Sequence, residues 1–212
     1  MTYAQTDTIV YHLTIKEKIV NLTGRDVKAM VINNSIPGPE LIFKEGQYTV
    51  IFVKNEMKEE TSVHWHGILL PGFQDGVPYL NSPPIKSGTE YKFEFPVKQS
   101  GTYWYHSHTG LQEQRGVYGS IVIQPKEQTL DYDYDQTVVL SDWTNENPDK
   151  ILKTLKRGSE WYSIKKGTVQ SLNKVLKQKA LNAQPKMWSK RLPGMDISDV
   201  YFDTFLSNGR NA

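Results

Sequence analysis

Cysteine is absent from the 212 residues. Its absence removes disulfides, zinc–thiolate sites and thiol nucleophiles together, and with them the thiolate that a blue-copper electron-transfer centre requires. Histidine is scarce, at five residues. No apolar run approaches the length of a membrane span. The first twenty residues mix threonine, aspartate, lysine and glutamate without the apolar stretch of a secretory signal, so the expectation is a cytoplasmic, mature or trimmed chain. Excess charge of one sign is lacking too. The 25 Lys/Arg and 23 Asp/Glu leave a net charge of +2, which gives no footprint for nucleic acid. Twelve basic residues between Lys150 and Arg191, against the single acid Glu160, read as a solvated helical face. What remains is an ordinary globular balance, 38% hydrophobic and 23% charged, with length for one large β domain or for one domain and part of another.

The few histidines are not scattered. His64-Trp65-His66-Gly67 and Tyr105-His106-Ser107-His108 hold four of the five, as two His-x-His pairs. In an extended chain alternate side chains share a face, so the members of each pair project together, about 7 Å apart at Cα. Adjacent strands lie about 5 Å apart and can bring all four imidazoles to one place. A set of imidazoles without thiolate suits copper, zinc, iron or nickel rather than calcium or magnesium. Nearby carboxylates are few. Asp75, in Gln74-Asp75-Gly76, reads equally as a turn residue or as a carboxylate that orients a ligand histidine and handles protons, and Glu113 reads the same way more weakly. His12 falls on the polar face of its strand and is expected at the surface.

Up to residue 125 the pattern is one of short strands. Thr8 to Val20, Val27 to Asn33, Leu41 to Phe43, Tyr48 to Lys54, Tyr91 to Val97, Gly101 to His108 and Tyr118 to Gln124 are β-rich or alternate apolar with polar residues. Lys44 to Gln47 reads as a hairpin-like connection, and Pro71 to Pro84, with four prolines and two glycines, as a long ordered loop. The fold class expected is mainly β, a Greek-key β-sandwich or barrel. Residues 126–136 read as an acidic linker, and Thr137 to Trp143 as one further strand. A helix then starts at Asn147 as cap with Pro148 in its first turn, carrying Ile151, Leu152 and Leu155. A second apolar stripe follows at Val169, Leu172, Val175 and Leu176. Tyr201 to Leu206 predicts a last strand, ending in the turn Ser207 to Arg210. One strand, one or two helices and a terminal strand make no independent core. Residues 137–212 are therefore expected to begin a second domain whose remainder is absent.

The two histidine pairs, with Ser35-Ile36-Pro37-Gly38-Pro39, the run Thr61 to Pro71, the run Gln99 to His108 and Val139-Leu140-Ser141-Asp142-Trp143, resemble the multicopper oxidases, and in particular their copper-resistance branch. The resemblance spans essentially the whole chain and matches about the first third of such a protein. It implies a cupredoxin-like sandwich over residues 1–125 and the partly helical start of a second cupredoxin domain over 137–212. It implies copper as cofactor, with His64 on the type 2 ion, His66 and His106 on one type 3 ion and His108 on the other. It matches Asp75 to the acidic residue that assists proton delivery during O2 reduction. Partners implied are copper ions, O2 and a missing C-terminal cupredoxin domain; neither nucleic acid nor a membrane span is implied, and the location is periplasmic.

The departures from that pattern carry their own expectations. The HxxHxH and HCHxxxH motifs of the C-terminal domain have no match here, and without their cysteine there is no type 1 copper. The chain by itself is expected not to turn over. Two competing readings are a stand-alone copper-binding or buffering module that uses the four histidines, and a homo-oligomeric oxidase with its cluster between subunits. The missing cysteine opposes the second, since an oxidase needs an entry site for electrons.

Overall fold

A computed structural model describes residues 7–127, 130–157, 171–183 and 200–211. The first strand is long enough to serve two partners. The first half of β1 (Thr8–Asn21) runs parallel to β4 (Tyr48–Asn55), with Thr8 opposite Tyr48, and its second half runs antiparallel to β2 (Asp26–Ile32), with Asn21 opposite Asp26. Antiparallel β6 (Glu90–Pro96) completes a sheet in the order β2-β1-β4-β6. The second sheet has the order β3-β8-β7-β5, from β3 (Leu41–Lys44), β5 (His64–His66), β7 (Gly101–His106) and β8 (Tyr118–Gln124). The protein is mostly β, a sandwich of cupredoxin-like type.

Alternation decides which side chains make the core. In β4, Thr49, Ile51, Val53 and Asn55 are buried and most of the residues between them are half-buried. Trp65 of β5 and Tyr105 of β7, paired in register, turn inward to meet Phe93 and Phe95 of the opposite sheet. The Trp65 ring lies 5.2 Å from Phe93, 6.0 Å from Phe95 and 5.9 Å from Tyr105, centroid to centroid, the Phe93 contact edge-on. Such edge and tilted contacts are the favoured aromatic geometry. Because Trp65 and Tyr105 face in, the histidines on either side of them face out.

One expectation about connectivity fails. Lys44 to Gln47 is not a hairpin, since β3 and β4 lie in different sheets. The Glu45 amide donates to Gln124 O at the end of β8, and the Gly46 amide donates to Val97 O just beyond β6. Those two bonds carry the chain from one sheet across to the other, which local turn signals do not reveal.

Beyond the sandwich, β9 (Leu140–Trp143), β10 (Thr204–Ser207) and β11 (Arg210–Asn211) form a small antiparallel sheet. The turn at Ser207 to Arg210 is thus the corner of a hairpin. Trp143 and Leu206 bury against Ala29, with Val20, Leu22, Val27 and Ile36 around them. The chain groups into two compact units, Met1–Trp143 with Thr204–Ala212, and Thr144–Asp203. This grouping draws its line at other residues than the sequence division at 126–136. Within the second unit, α1 (Pro148–Lys156) starts as expected, with the Asn147 side chain accepting from the Asp149 amide and Pro148 in the first turn. In α1 Ile151 is buried, and in α2 (Leu172–Lys177) Val175 is buried while Leu172 and Leu176 are exposed. The expected apolar position Val169 lies outside the described residues. No helix among the described residues is long and apolar enough to cross a membrane.

Candidate metal centre

The site is built on the shortest strand of its sheet. β5 pairs with β7 so that His64 stands directly opposite His106 and His66 opposite Trp104. Four outward side chains, His64, His66, Trp104 and His106, therefore share one patch of the outer face. Ligating nitrogens of His64, His66 and His106 all fall within 4.8 Å of one another. Just past the end of β7, His108 brings its ring within 4.8 Å of both the His64 and His106 rings, centroid to centroid. Of the four histidines expected to converge, His64, His66 and His106 bring their nitrogens together, and the His108 ring stands beside two of them. His12 lies apart and exposed, stacked on Phe52 at 4.9 Å.

Two of the rings, His64 and His106, meet an oxygen at their far nitrogen. His64 Nδ1 lies 2.8 Å from the main-chain carbonyl of Asp75 and 3.4 Å from its carboxylate Oδ1. A carbonyl only accepts, so Nδ1 carries the proton and Nε2 keeps its lone pair for a metal. Asp75 thus orients His64 chiefly through its backbone, while its Oδ2 accepts from Asn81 Nδ2 at 2.8 Å. His106 Nδ1 lies 2.7 Å from Glu113 Oε2, so Glu113 stands nearer the centre than its weak sequence signal implies. His66 Nδ1 and His106 Nε2 face each other at 3.3 Å. Two nitrogens bound to one tetrahedral ion at about 2.0 Å would be separated by about 3.3 Å. The residues present therefore fit a bound borderline metal.

The electrostatics favour the ligating form. Burial holds His66 and His108 below the ordinary histidine range, and the neighbouring rings of His106 and His64 push in the same direction. The close contact with His106 Nδ1, helped by the attraction of the nearby imidazoles, holds the Glu113 carboxylate below the usual range. Neutral imidazoles beside an ionised carboxylate are what a cation needs on arrival.

Beneath the histidines runs a buried polar network. Gln112, 3% exposed, accepts at Oε1 from Thr61 Oγ1 at 2.6 Å and from Ser107 Oγ at 3.0 Å, and donates from Nε2 to Glu60 O at 2.8 Å. The Ser62 hydroxyl accepts from the His108 amide and from Thr109 Oγ1, each at 3.0 Å. These bonds lock the loop after β7 to the segment that leads into β5, and so fix one histidine pair against the other. Gln112→Ala should cost about 2–3 kcal/mol, because it strands buried hydroxyl and carbonyl groups. Urea unfolding monitored by tryptophan fluorescence checks it. The network joins residues about 50 positions apart, so no local pattern announces it. Trp104 is different: it sits two positions before His106, and strand alternation alone places it on the same face.

Residues 14–128 match the family model described as multicopper oxidase. The copper resistance protein A of Escherichia coli is 46% identical over 207 residues, 94% of this chain and 34% of that protein. The chain thus spans about a third of the length of such curated relatives (34% for the homologue from Pseudomonas syringae as well). Among solved structures, the laccase of Botrytis aclada superposes with a TM-score of 0.65 at 36% identity, over 71% of this chain and 29% of that one. A blue copper oxidase from Nitrosomonas europaea shares the fold at 22% identity, with a TM-score of 0.65 over 96% of this chain and 54% of that one. Paired histidines on one sheet, the cupredoxin-like sandwich and these likenesses converge: the chain belongs to the multicopper oxidase family.

Proposed function

We propose that this chain supplies His64, His66, His106 and His108 as half of the ligands of a trinuclear copper cluster in a copper-resistance multicopper oxidase. The observation that carries the reading is the gathering of the His64, His66 and His106 nitrogens within 4.8 Å, with the His108 ring beside them and His66 Nδ1 and His106 Nε2 only 3.3 Å apart. That separation supports a shared ion for His66 and His106, a type 3 ion by the resemblance, which also implies His64 on the type 2 ion and His108 on the second type 3 ion. The bound copper would supply the one-electron steps that couple oxidation of Cu(I) or phenol-like reductants to reduction of O2 to water. The protein's own part is positional. Asp75 orients His64 through its carbonyl and holds a half-buried carboxylate 3.4 Å from the same ring nitrogen, where it can store and pass a proton.

On this reading residues 1–125 are the first cupredoxin domain, 126–136 a linker and 137–212 the start of a second cupredoxin domain. The remaining ligands and the type 1 site come from a C-terminal cupredoxin domain of the whole protein, and the location is periplasmic, as the resemblance implies. In the full-length protein, His64→Ala and His106→Ala should each abolish oxidase activity and lower the copper content of the cluster, measured by metal analysis and by the absorbance of the coupled pair. Retention of both properties in either variant would sink the assignment. A second reading, a copper-binding module in its own right, draws on three ligand nitrogens already gathered within 4.8 Å. It requires stoichiometric copper binding by the 212-residue chain that survives mild chelation.

A further inference from the structure

We propose that Glu113 and Trp104 clamp His106 and make it the fixed reference of the cluster, Glu113 by setting its tautomer and Trp104 by setting the plane of its ring. The inference rests on the copper reading above and adds two positioning residues to it. His106 is the most buried of the four histidines, at 6% exposure. Its ring lies parallel to the Trp104 indole, 3.9 Å away with 6° between planes. Trp104 also reaches across the strand pair to His66, at 5.1 Å between centroids and a 35° tilt. One indole thus limits the rotation of both rings whose nitrogens face each other.

The second restraint acts at the far edge of the ring. Glu113 Oε2 lies 2.7 Å from His106 Nδ1, a close charged contact rather than an aligned hydrogen bond, and that buried nitrogen has no hydrogen-bond partner among the described residues. A carboxylate can only accept, so its approach favours the tautomer with the proton on Nδ1 and the lone pair on Nε2, the nitrogen that faces His66. His64, by contrast, donates to a neutral main-chain carbonyl. An anionic group at this distance restrains the ring more strongly than a neutral carbonyl does, and with Trp104 stacked on its face His106 is the best-held ring of the set. Glu113 opens the 3-10 turn Glu113–Arg115, directly after Gln112. The hydrogen bonds of Gln112 to Thr61, Ser107 and Glu60, the first two fully buried, anchor that turn, which delivers the carboxylate from a rigid base.

The test is nuclear magnetic resonance of the metal-free chain labelled with 15N-histidine at mildly alkaline pH, with the His106 signals identified by their loss in His106→Gln. The wild type should carry the His106 proton on Nδ1. In Glu113→Ala the proton should move toward Nε2, and Cu(I) affinity, measured by competition with a chromophoric chelator, should fall about 10–100-fold. Glu113→Gln, whose amide oxygen accepts the same proton, should restore the tautomer and most of the affinity. Trp104→Phe should keep a flat partner and near-wild-type affinity, where Trp104→Leu does not. A wild-type proton on Nε2, or a Glu113→Ala chain with an unmoved tautomer, would overturn the clamp. Equal Cu(I) affinities for Trp104→Phe and Trp104→Leu would remove Trp104 from it. If the chain shows no copper affinity while the tautomer still follows Glu113, the stand-alone copper-binding reading fails and the clamp stands.

Discussion

Replacing Trp65 by alanine should cost the sandwich about 3–5 kcal/mol, the range for emptying a buried indole site. Trp65 is fully buried and is the point where β5 and β7 of one sheet meet Phe93 and Phe95 of the other. β5 is only three residues long, so few other contacts hold it in place. Loss of the indole therefore removes the inward anchor between His64 and His66, and both histidines should lose their register with His106 and Trp104. Urea unfolding of the chain gives the stability, and a loss under about 1.5 kcal/mol would show that the core closes around the gap. Trp65→Phe provides the informative comparison. The Trp65 Nε1 is buried with no hydrogen-bond partner among the described residues. Removing it relieves an unsatisfied donor, a penalty of about 1–3 kcal/mol, which offsets much of the lost volume. The phenylalanine variant should stay within about 1.5 kcal/mol of wild type.

Gly76→Ala should be nearly as damaging, by a different route. Gly76 has a φ of +81°, a left-handed conformation that side chains with a Cβ rarely adopt. An added Cβ would also fall 1.7 Å from the carbonyl oxygen of Val63, the residue before His64. The clash is with backbone, so no rotamer change relieves it. The loop after Pro71 must withdraw from the start of β5, and the bond from His64 Nδ1 to the Asp75 carbonyl goes with it. A cost on the order of 3 kcal/mol is expected from the strained dihedral and the displaced backbone together. Gly88→Ala serves as the control. Its φ is +72°, with nothing within 4 Å of the added Cβ, so only the dihedral penalty of about 1–2 kcal/mol applies. Equal losses for the two variants by urea unfolding would mean that the loop does not brace the strand.

The two substitutions mark where the site comes from. Trp65 and its flanking histidines obey strand alternation, and a reader of the sequence can place them on opposite faces before seeing any fold. Gly76 is legible only as part of a turn. That its missing side chain makes room for Val63 O, thirteen positions earlier, depends on how the loop lies against the sheet. Asp75 illustrates the same limit. Its residue type suggests a carboxylate acting on a ligand histidine, yet its closest approach to His64 is through the main-chain carbonyl, a group every residue carries.

The sequence by itself determined the strands before residue 125, the start of α1 at Asn147 and Pro148, the shared face of each histidine pair and the multicopper oxidase resemblance. All of these rest on short-range rules: period-two alternation, capping chemistry and contiguous motifs. Tertiary structure alone decided that β3 and β4 part into different sheets, that β5 lies beside β7 in the register setting His64 opposite His106, and that Gln112 and Glu113 stand under and behind the histidines. The reason is physical. Sheet partnership and buried hydrogen bonds join residues tens of positions apart, and their choice is made by the packing of the whole core around Trp65 and Tyr105 rather than by any neighbour in the chain.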